Sequence, residues 1–164
     1  MGEKNMKPQF TKLLQIGIIV DDVDKCVKNF EEYYGIGPWR ITYMDREHFP
    51  KLTVNGQLSD MANKCAFCNA FGMEIELIEP ITDSPYKTWL DEHGPGIHHL
   101  AVLTRDSFDD VLAQHKEITG EGPWIRGQEP DIGMDFAYLD LTKVIGTFLE
   151  IYNEDRSSQP GHEF

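Results

Sequence analysis

Two stretches of the sequence, QIGIIVDDVDKCVKNFEEYYGIGPWR from Gln15 to Arg40 and HLAVLTRDSFDDVLAQHKEITGEGPWIR from His99 to Arg126, follow one plan. Each begins with an apolar run of strand type and continues, past acidic residues, into a segment whose apolar side chains recur at helical spacing. Both helical segments end at a glycine and run into the pattern G-x-G-P-W. A match of this length within one chain indicates two copies of one structural unit.

The two copies also end alike. The segments AFCNAFGMEIELIEP and AYLDLTKVIGTFLEIYN each contain two apolar, strand-like runs joined by a short link that includes glycine. Each copy is therefore predicted to fold as β-α-β-β-β, and the chain as an α+β protein.

Local sequence signals indicate where two of the helices begin. Ser84 followed by Pro85 predicts the start of a linker helix, and Ser107 with Asp110 three residues later resembles a capping box.

An extended insertion present in the first copy alone is a candidate cover for a pocket. We expect an N-terminal extension (1–11), a first βαβββ module (12–80) with its insertion at about 40–64, a linker helix (81–96), a second βαβββ module (97–153) and a flexible tail (154–164).

Composition excludes several classes of function. The formal net charge of −13 would repel nucleic acids and anionic membranes. No apolar run approaches the length of a membrane span and no secretory signal begins the chain, so we expect a cytoplasmic protein. Three cysteines are too few for a disulfide framework. Cys65 and Cys68 form a CxxC pair, but in a strand they would point to opposite faces, which disfavours a metal site there.

The internal repeat also singles out candidate functional residues. Because adjacent residues of a strand point to opposite faces, His98 and His99 are not both expected to enter one pocket. His99 aligns with Gln15 of the first copy, so each first strand offers one polar side chain. Each last strand offers one carboxylate, Glu76 or Glu150, at equivalent points.

A solvated strand face is the alternative explanation for these carboxylates, and Glu74 beside Glu76 on the same face favours it. The coincidence of ligand-type residues at matching points in both copies favours convergence instead. If the two sheets form a common cleft, Gln15, Glu76, His99 and Glu150 are able to bind one divalent ion.

With paired βαβββ modules and a ligand-type residue on the first and last strand of each, the chain resembles the vicinal oxygen chelate superfamily. This superfamily includes glyoxalase I, extradiol dioxygenases, methylmalonyl-CoA epimerase and antibiotic-sequestering proteins. The resemblance spans Lys12 to Asn153, and the segments IELIEP and HGPGIHHLAV are most similar to methylmalonyl-CoA epimerase. It implies two tandem βαβββ modules that form a shared cleft of curved mixed sheets, a homodimer, and a divalent ion (Co, Mn, Ni, Zn or Mg) bound by Gln15, Glu76, His99 and Glu150.

One position departs from the epimerase pattern. The epimerase usually has histidine where this sequence has Gln15, and the order Gln, Glu, His, Glu is instead similar to zinc-type glyoxalase I. A single available histidine disfavours an extradiol dioxygenase, whose iron takes two histidines and one carboxylate.

The implied activity is that of an isomerase, an epimerase or racemase that removes and returns a proton at the carbon next to a carbonyl. Glu150 is the expected base. A second acid is needed on the opposite face of the substrate, and Asp60 is the nearest match, with Glu47 and His48 as competing candidates. The alternatives are a glyoxalase I-type lyase acting on a glutathione hemithioacetal and a non-catalytic protein that binds aromatic ligands.

The expected partner is a small carbonyl substrate, with no nucleic acid and no membrane. Trp39, Tyr43, Phe49 and Phe71 near the cleft would favour a bulky aromatic ketone such as a dihydroisoflavone. An acyl-CoA thioester such as methylmalonyl-CoA is the other candidate, and its phosphates would find cations at Lys51, Lys64 and Arg40.

Overall fold

A computed structural model describes residues 7–129, 131 and 133–153. The predicted flexible tail over 154–164 and the first six residues of the predicted extension lie outside the described residues. Within the described part of the chain, no helix is both long enough and apolar enough to cross a membrane. The elements in chain order are β1 (Phe10–Ile19), α1 (Val23–Tyr34), β2 (Arg40–Met44), β3 (Thr53–Val54), β4 (Gln57–Leu58), β5 (Asn63–Ala70), β6 (Met73–Pro80), α2 (Pro85–His93), β7 (Gly96–Thr104), α3 (Phe108–Thr119), β8 (Ile125–Glu129), β9 (Met134–Leu141), α4 (Thr142–Ile145) and β10 (Thr147–Tyr152).

The strands form one ten-stranded mixed sheet in the order β2-β5-β6-β1-β7-β10-β9-β8-β3-β4. The first copy contributes β1, β2, β5 and β6, and the second contributes β7 to β10. The two copies meet at the antiparallel β1–β7 pair, whereas β1–β6 and β7–β10 are parallel. The predicted α+β fold, with two βαβββ modules in a curved mixed sheet, is confirmed.

The insertion of the first copy crosses to the second copy. Its hairpin, β3 and β4, pairs with the outer edge of β8 through Thr53 and Val54. Phe49, Leu52 and Met61 from the same segment are buried against the sheet. The long segment therefore covers the sheet, as its presence in one copy alone suggested.

The helices begin and end at the predicted signals. The Ser107 hydroxyl oxygen accepts a hydrogen bond from the backbone N–H of Asp110, and Ser84 caps α2 in the same way. Helices α1 and α3 end at Gly35 and Gly120, both in the left-handed conformation that glycine adopts without steric cost. The link between β9 and β10 differs from the prediction because it contains the short helix α4.

Two separate sets of apolar residues pack on the two faces of the sheet. The inner face carries Gln15, Glu76, His99 and Glu150, and its core includes side chains from the insertion and Tyr86 from α2. The outer face packs against α1 in the first copy and α3 in the second. Burying each large apolar side chain stabilises the fold by about 1.5–3 kcal/mol, so this inner layer is a substantial part of the core.

Two β-bulges lie at equivalent positions of the β1–β7 pair. The pairing register passes over Leu14 on β1 and over His98 on β7, so each is the extra residue of a bulge. Leu14 directly precedes Gln15, and His98 directly precedes His99. The internal repeat thus extends to backbone irregularities, and each bulge lies beside a predicted ligand, where it is able to re-aim the neighbouring side chain.

Candidate metal centre

The register of four neighbouring strands brings the predicted ligands into two adjacent rows of the inner face. Strand β1 is central, because it pairs with β6 on one side and β7 on the other, and β7 in turn pairs with β10. Across β6, β1, β7 and β10, one row is Glu76, Gly17, His99 and Phe148, and the other is Glu74, Gln15, Ala101 and Glu150.

The predicted ligands form one buried cluster. His99 Nε2 lies 3.5 Å from Glu76 Oε2, 3.4 Å from Glu150 Oε2 and 3.4 Å from Gln15 Oε1. One ligand atom from each of Glu76, His99 and Glu150 lies within 4.8 Å of the others. His99 is fully buried, and the other three side chains are 6% exposed or less. The structure therefore brings together all four residues that the sequence selected.

The orientation of the Gln15 amide follows from its neighbours. Its Nε2 donates a 2.6 Å hydrogen bond to Glu74 Oε1, and its Oε1 accepts a 3.5 Å hydrogen bond from the Tyr152 hydroxyl. A carboxylate oxygen accepts a hydrogen bond, so the amide nitrogen, which is the donor, faces Glu74. The amide oxygen then faces His99, and oxygen is the amide atom that binds cations.

The two buried carboxylates strongly affect the protonation of His99. Burial alone lowers the pKa of its imidazole, but Glu150 and Glu76 more than offset burial and raise the pKa from 6.5 to about 9. Without a bound cation, the imidazolium partly balances the two carboxylates. A metal ion would replace that proton on Nε2, because a ligating histidine is neutral.

His98 is buried beside His99, so the expectation that the two side chains point to opposite faces is wrong. The bulge at His98 is the reason, since the strict alternation of side chains fails there. The two Nδ1 atoms lie 3.2 Å apart, and the His98 ring stacks on Phe148 with a centroid distance of 4.6 Å. Burial and the neighbouring imidazoles lower the pKa of His98 to about 3. A neutral His98 accepts the Nδ1–H of His99, which leaves His99 Nε2 directed at the carboxylates.

Gly17 makes room for the His99 ring. A Cβ atom at this position would lie 1.9 Å from His99 Cε1 and 2.3 Å from each ring nitrogen. Only a residue without a side chain allows the ring to lie over the centre of the sheet. Glycine within a strand often marks such a close approach.

The donor set fits a divalent cation. Two buried carboxylates, those of Glu76 and Glu150, lie beside one imidazole, and Glu74 is buried next to Gln15; buried charge is costly unless it is compensated. Glu150 Oε2 is buried and makes no regular hydrogen bond within the described residues. Carboxylate and amide oxygens with one imidazole nitrogen suit Mg, Mn, Co, Ni and Zn.

The structure does not bring the proposed second acid into the cluster. The Asp60 side chain is 87% exposed and its Oδ1 accepts a 2.7 Å hydrogen bond from Arg46 Nη1. Glu47 and His48 are also exposed, and His48 Nδ1 lies 2.8 Å from Asp45 Oδ1. Of the three sequence candidates, none lies on the buried inner face.

Sequence reasoning missed Glu74. The side chain is 2% exposed, so the alternative of a solvated strand face, which Glu74 favours in the sequence, does not hold here. The repeat contained a signal for its burial, because Glu74 stands where the second copy has Phe148, two residues before the aligned carboxylate.

The expected aromatic lining is also corrected in part. Phe49 packs in the inner core, but Tyr43 is 47% exposed and Phe71 is 75% exposed. Trp39 packs on the outer face against Phe30, at a centroid distance of 5.1 Å. Other aromatic side chains lie next to the cluster, and Tyr138 meets the His99 ring edge-on at 4.7 Å.

Comparison with known proteins identifies the family. Residues 14–138 match the model of the glyoxalase/bleomycin resistance protein/dioxygenase superfamily. A curated relative, the uncharacterized protein YqjC of Bacillus subtilis (strain 168), is 25% identical over 156 residues, which cover 93% of this chain and 99% of that protein.

Solved structures share the fold. A variant of Streptomyces coelicolor methylmalonyl-CoA epimerase in complex with 2-nitronate-propionyl-CoA is 21% identical, with a TM-score of 0.62, and the match covers 92% of this chain and 99% of that one. The methylmalonyl-CoA epimerase of Mycobacterium tuberculosis is 16% identical, with a TM-score of 0.61 and 92% of each chain covered. A hypothetical protein of Bacillus halodurans C-125 is 19% identical, with a TM-score of 0.57 and coverage of 91% and 98%.

Proposed function

The chain belongs to the glyoxalase/bleomycin resistance protein/dioxygenase superfamily, and we propose that within it the protein is a metal-assisted epimerase or racemase. The reaction removes a proton from the carbon next to a carbonyl group and returns it to the opposite face. The substrate class is an acyl-CoA thioester such as methylmalonyl-CoA, or a bulkier ketone such as a dihydroisoflavone. Solved epimerases with the same fold support the first of these.

The observation that carries the proposal is the buried convergence of Gln15, Glu76, His99 and Glu150. One ligand atom from each of Glu76, His99 and Glu150 lies within 4.8 Å of the others, beside the apolar core of the inner face. Buried charge on this scale is costly to a fold unless it is compensated, which supports a functional origin.

Glu150 is the proposed base. A bound divalent ion would act as a Lewis acid that stabilises negative charge on the substrate oxygen. Glu150 Oε2 lies 3.4 Å from His99 Nε2 and makes no hydrogen bond of good geometry within the described residues. A positioned carboxylate oxygen of this kind is able to act as a general base. Glu150 is only 4% exposed, and Tyr138 packs beside the cluster, so little water contacts the carboxylate in the folded protein.

A surface pocket of about 300 Å³ contains Arg40, one of the cations expected to meet the phosphates of an acyl-CoA. Its lining includes Arg40, Phe67 and Glu74, and Glu74 contacts the predicted ligand Gln15. The Arg40 guanidinium lies 4.6 Å from the Phe67 ring centroid, where it is able to meet a carboxylate or phosphate. Lys64, by contrast, is already paired with Asp24 at 2.5 Å.

The test is proton exchange in D₂O followed by NMR, with metal-loaded protein and three compounds: methylmalonyl-CoA, a dihydroisoflavone and the methylglyoxal–glutathione hemithioacetal. We expect deuterium at the α-carbon of one of the first two, with inversion of configuration. Glu150→Gln should slow exchange by roughly 100-fold or more, the range of general-base catalysis. Glu79→Gln is the matched control, because Glu79 lies on β6 outside the cluster. Exchange that persists in Glu150→Gln, or no exchange and no bound metal in the parent protein, would overturn the proposal.

A lyase of the glyoxalase I type is the second candidate, and the position of Gln15 favours it. The Gln15 amide oxygen lies 3.4 Å from His99 Nε2, at the position where the epimerase pattern has histidine. The same NMR experiment separates the two activities, since a lyase converts the hemithioacetal into a lactoyl thioester and leaves methylmalonyl-CoA unchanged. A homodimer is proposed for either activity, and light scattering of the purified protein would test it.

A further inference from the structure

We propose that Glu74 is a positioning residue, which holds the Gln15 amide so that its oxygen faces the metal centre. The inference rests on the metal centre proposed above. It assigns a role to a carboxylate that is neither one of the four predicted ligands nor the proposed base.

The hydrogen bond between the two side chains determines which end of the amide faces the cluster. Gln15 Nε2 donates to Glu74 Oε1 at 2.6 Å, a short distance for a hydrogen bond to a charged acceptor. The opposite arrangement would set two acceptor oxygens against each other. It would also direct the NH₂ group, which cannot bind a cation, at the carboxylates of the cluster.

Burial makes this restraint effective. Gln15 and Glu74 are both 2% exposed, and they are direct neighbours on β1 and β6 in the same row of the sheet. Water therefore does not readily replace either partner. Tyr152 favours the same orientation of the Gln15 amide more weakly, because its hydroxyl donates a long, 3.5 Å hydrogen bond to Gln15 Oε1.

The internal repeat shows that Glu74 is a departure from symmetry. The other row ends in Phe148, which occupies the equivalent place of the second copy and packs on His98 and Trp124. An aromatic residue there serves packing. The first copy instead has a buried carboxylate beside an amide, as expected if that amide must be oriented for binding. The His99 ring of the second copy is oriented by a different partner, His98.

The experiment measures Co²⁺ binding to metal-free protein by calorimetry and by the visible absorption of the bound ion. Glu74→Gln keeps the shape of the side chain but no longer requires the amide nitrogen to face it. We expect its Co²⁺ affinity to fall by about 10–100-fold, with a changed absorption spectrum. Glu74→Asp keeps the charge and shortens the side chain, and should change both readouts in the same direction. Glu79→Gln is the matched control, because Glu79 lies on the same strand as Glu74 but its Oε2 accepts a hydrogen bond from the backbone N–H of Val23 on α1, away from Gln15.

A double-variant cycle separates positioning from a simple loss of negative charge. If Glu74 acts through Gln15, then Glu74→Gln should cause no further loss of affinity in a Gln15→Ala background. An equal loss in both backgrounds, or unchanged affinity and spectrum in Glu74→Gln, would overturn the inference while leaving the metal centre in place. A parent protein that binds no Co²⁺ would overturn both the inference and the proposed centre.

Discussion

Gly17→Ala tests the metal centre without changing any predicted ligand. The added Cβ would lie 1.9 Å from His99 Cε1 and 2.3 Å from Nδ1 and from Nε2. Non-bonded carbon contacts of this kind are not found below 3.0 Å, so the ring must retreat by about 1 Å. Strand β1 cannot readily yield instead, since it is hydrogen-bonded to β6 and β7 on both sides.

A shift of this size is large for a metal ligand. Ligand distances in metal sites vary by only about 0.2 Å, so a displaced His99 would no longer bind well. We expect the affinity for Co²⁺ or Zn²⁺ to fall by at least about 100-fold. Removing a residue that merely hydrogen-bonds to a metal ligand lowers metal affinity by up to about this factor. Overpacking should also lower the free energy of unfolding by about 1–3 kcal/mol.

Gly127→Ala is the matched control, because its Cβ would lie 2.3 Å from Phe136 Cε1, a comparable clash that involves no predicted ligand. Metal affinity is measured by calorimetry, and stability by urea denaturation of the metal-free proteins. Both variants should lose stability, but only Gly17→Ala should lose metal affinity. Equal affinities in the two variants would refute the assignment of His99 as a ligand.

Three further predictions concern stability. A divalent ion at about 100 times its dissociation constant should raise the free energy of unfolding by about 2.7 kcal/mol. An equal rise in His99→Asn at the same ion concentration would contradict the assignment of His99 as a metal ligand. Burial holds the pKa of His115 below its ordinary value of 6.5, although Gly122, Asp140 and Glu121 act in the opposite direction. As the pH decreases, the unfolded chain therefore binds a proton at His115 before the folded chain does, so the free energy of unfolding should fall below about pH 6.5. Urea denaturation between about pH 5 and pH 8 should show a weaker dependence of this free energy on pH in His115→Gln. Ser107→Ala should cost about 1 kcal/mol in thermal or urea unfolding through loss of the α3 cap, with metal affinity unchanged; an altered affinity would mean that the cap and the site are coupled.

The internal repeat made most of the fold predictable. Strand and helix periodicity, the caps at Ser84 and Ser107, and the terminal glycines are local properties, and each copy repeats the evidence of the other. Alignment of the copies also paired Gln15 with His99 and Glu76 with Glu150, because these residues stand at equivalent points of the first and last strands. Metal binding by these four residues stays a prediction that the proposed experiments test.

Residues that the repeat does not match with a residue of the same kind were predicted poorly. Asp60 lies in the insertion, which has no counterpart in the second copy, so no register located it, and it is exposed beside Arg46. Glu74 on the same face as Glu76 favours the alternative of a solvated strand face, but the side chain is buried, and Phe148 stands at the matching place of the second copy. His98 was assigned to the wrong face since a bulge, which breaks alternation, leaves no clear mark in the sequence.

The sequence by itself determined the α+β class, the two βαβββ modules and four ligand-type residues, since these depend on patterns along the chain. Only the tertiary structure decided that β3 and β4 of the insertion join the far edge at β8, that Glu74 is buried against Gln15, and that His98 supports His99. Each of these depends on pairing between strands that are distant in sequence, and His98 reaches His99 only because of the bulge in the β1–β7 pair. In such pairs a shift of one residue moves a side chain to the other face of the sheet.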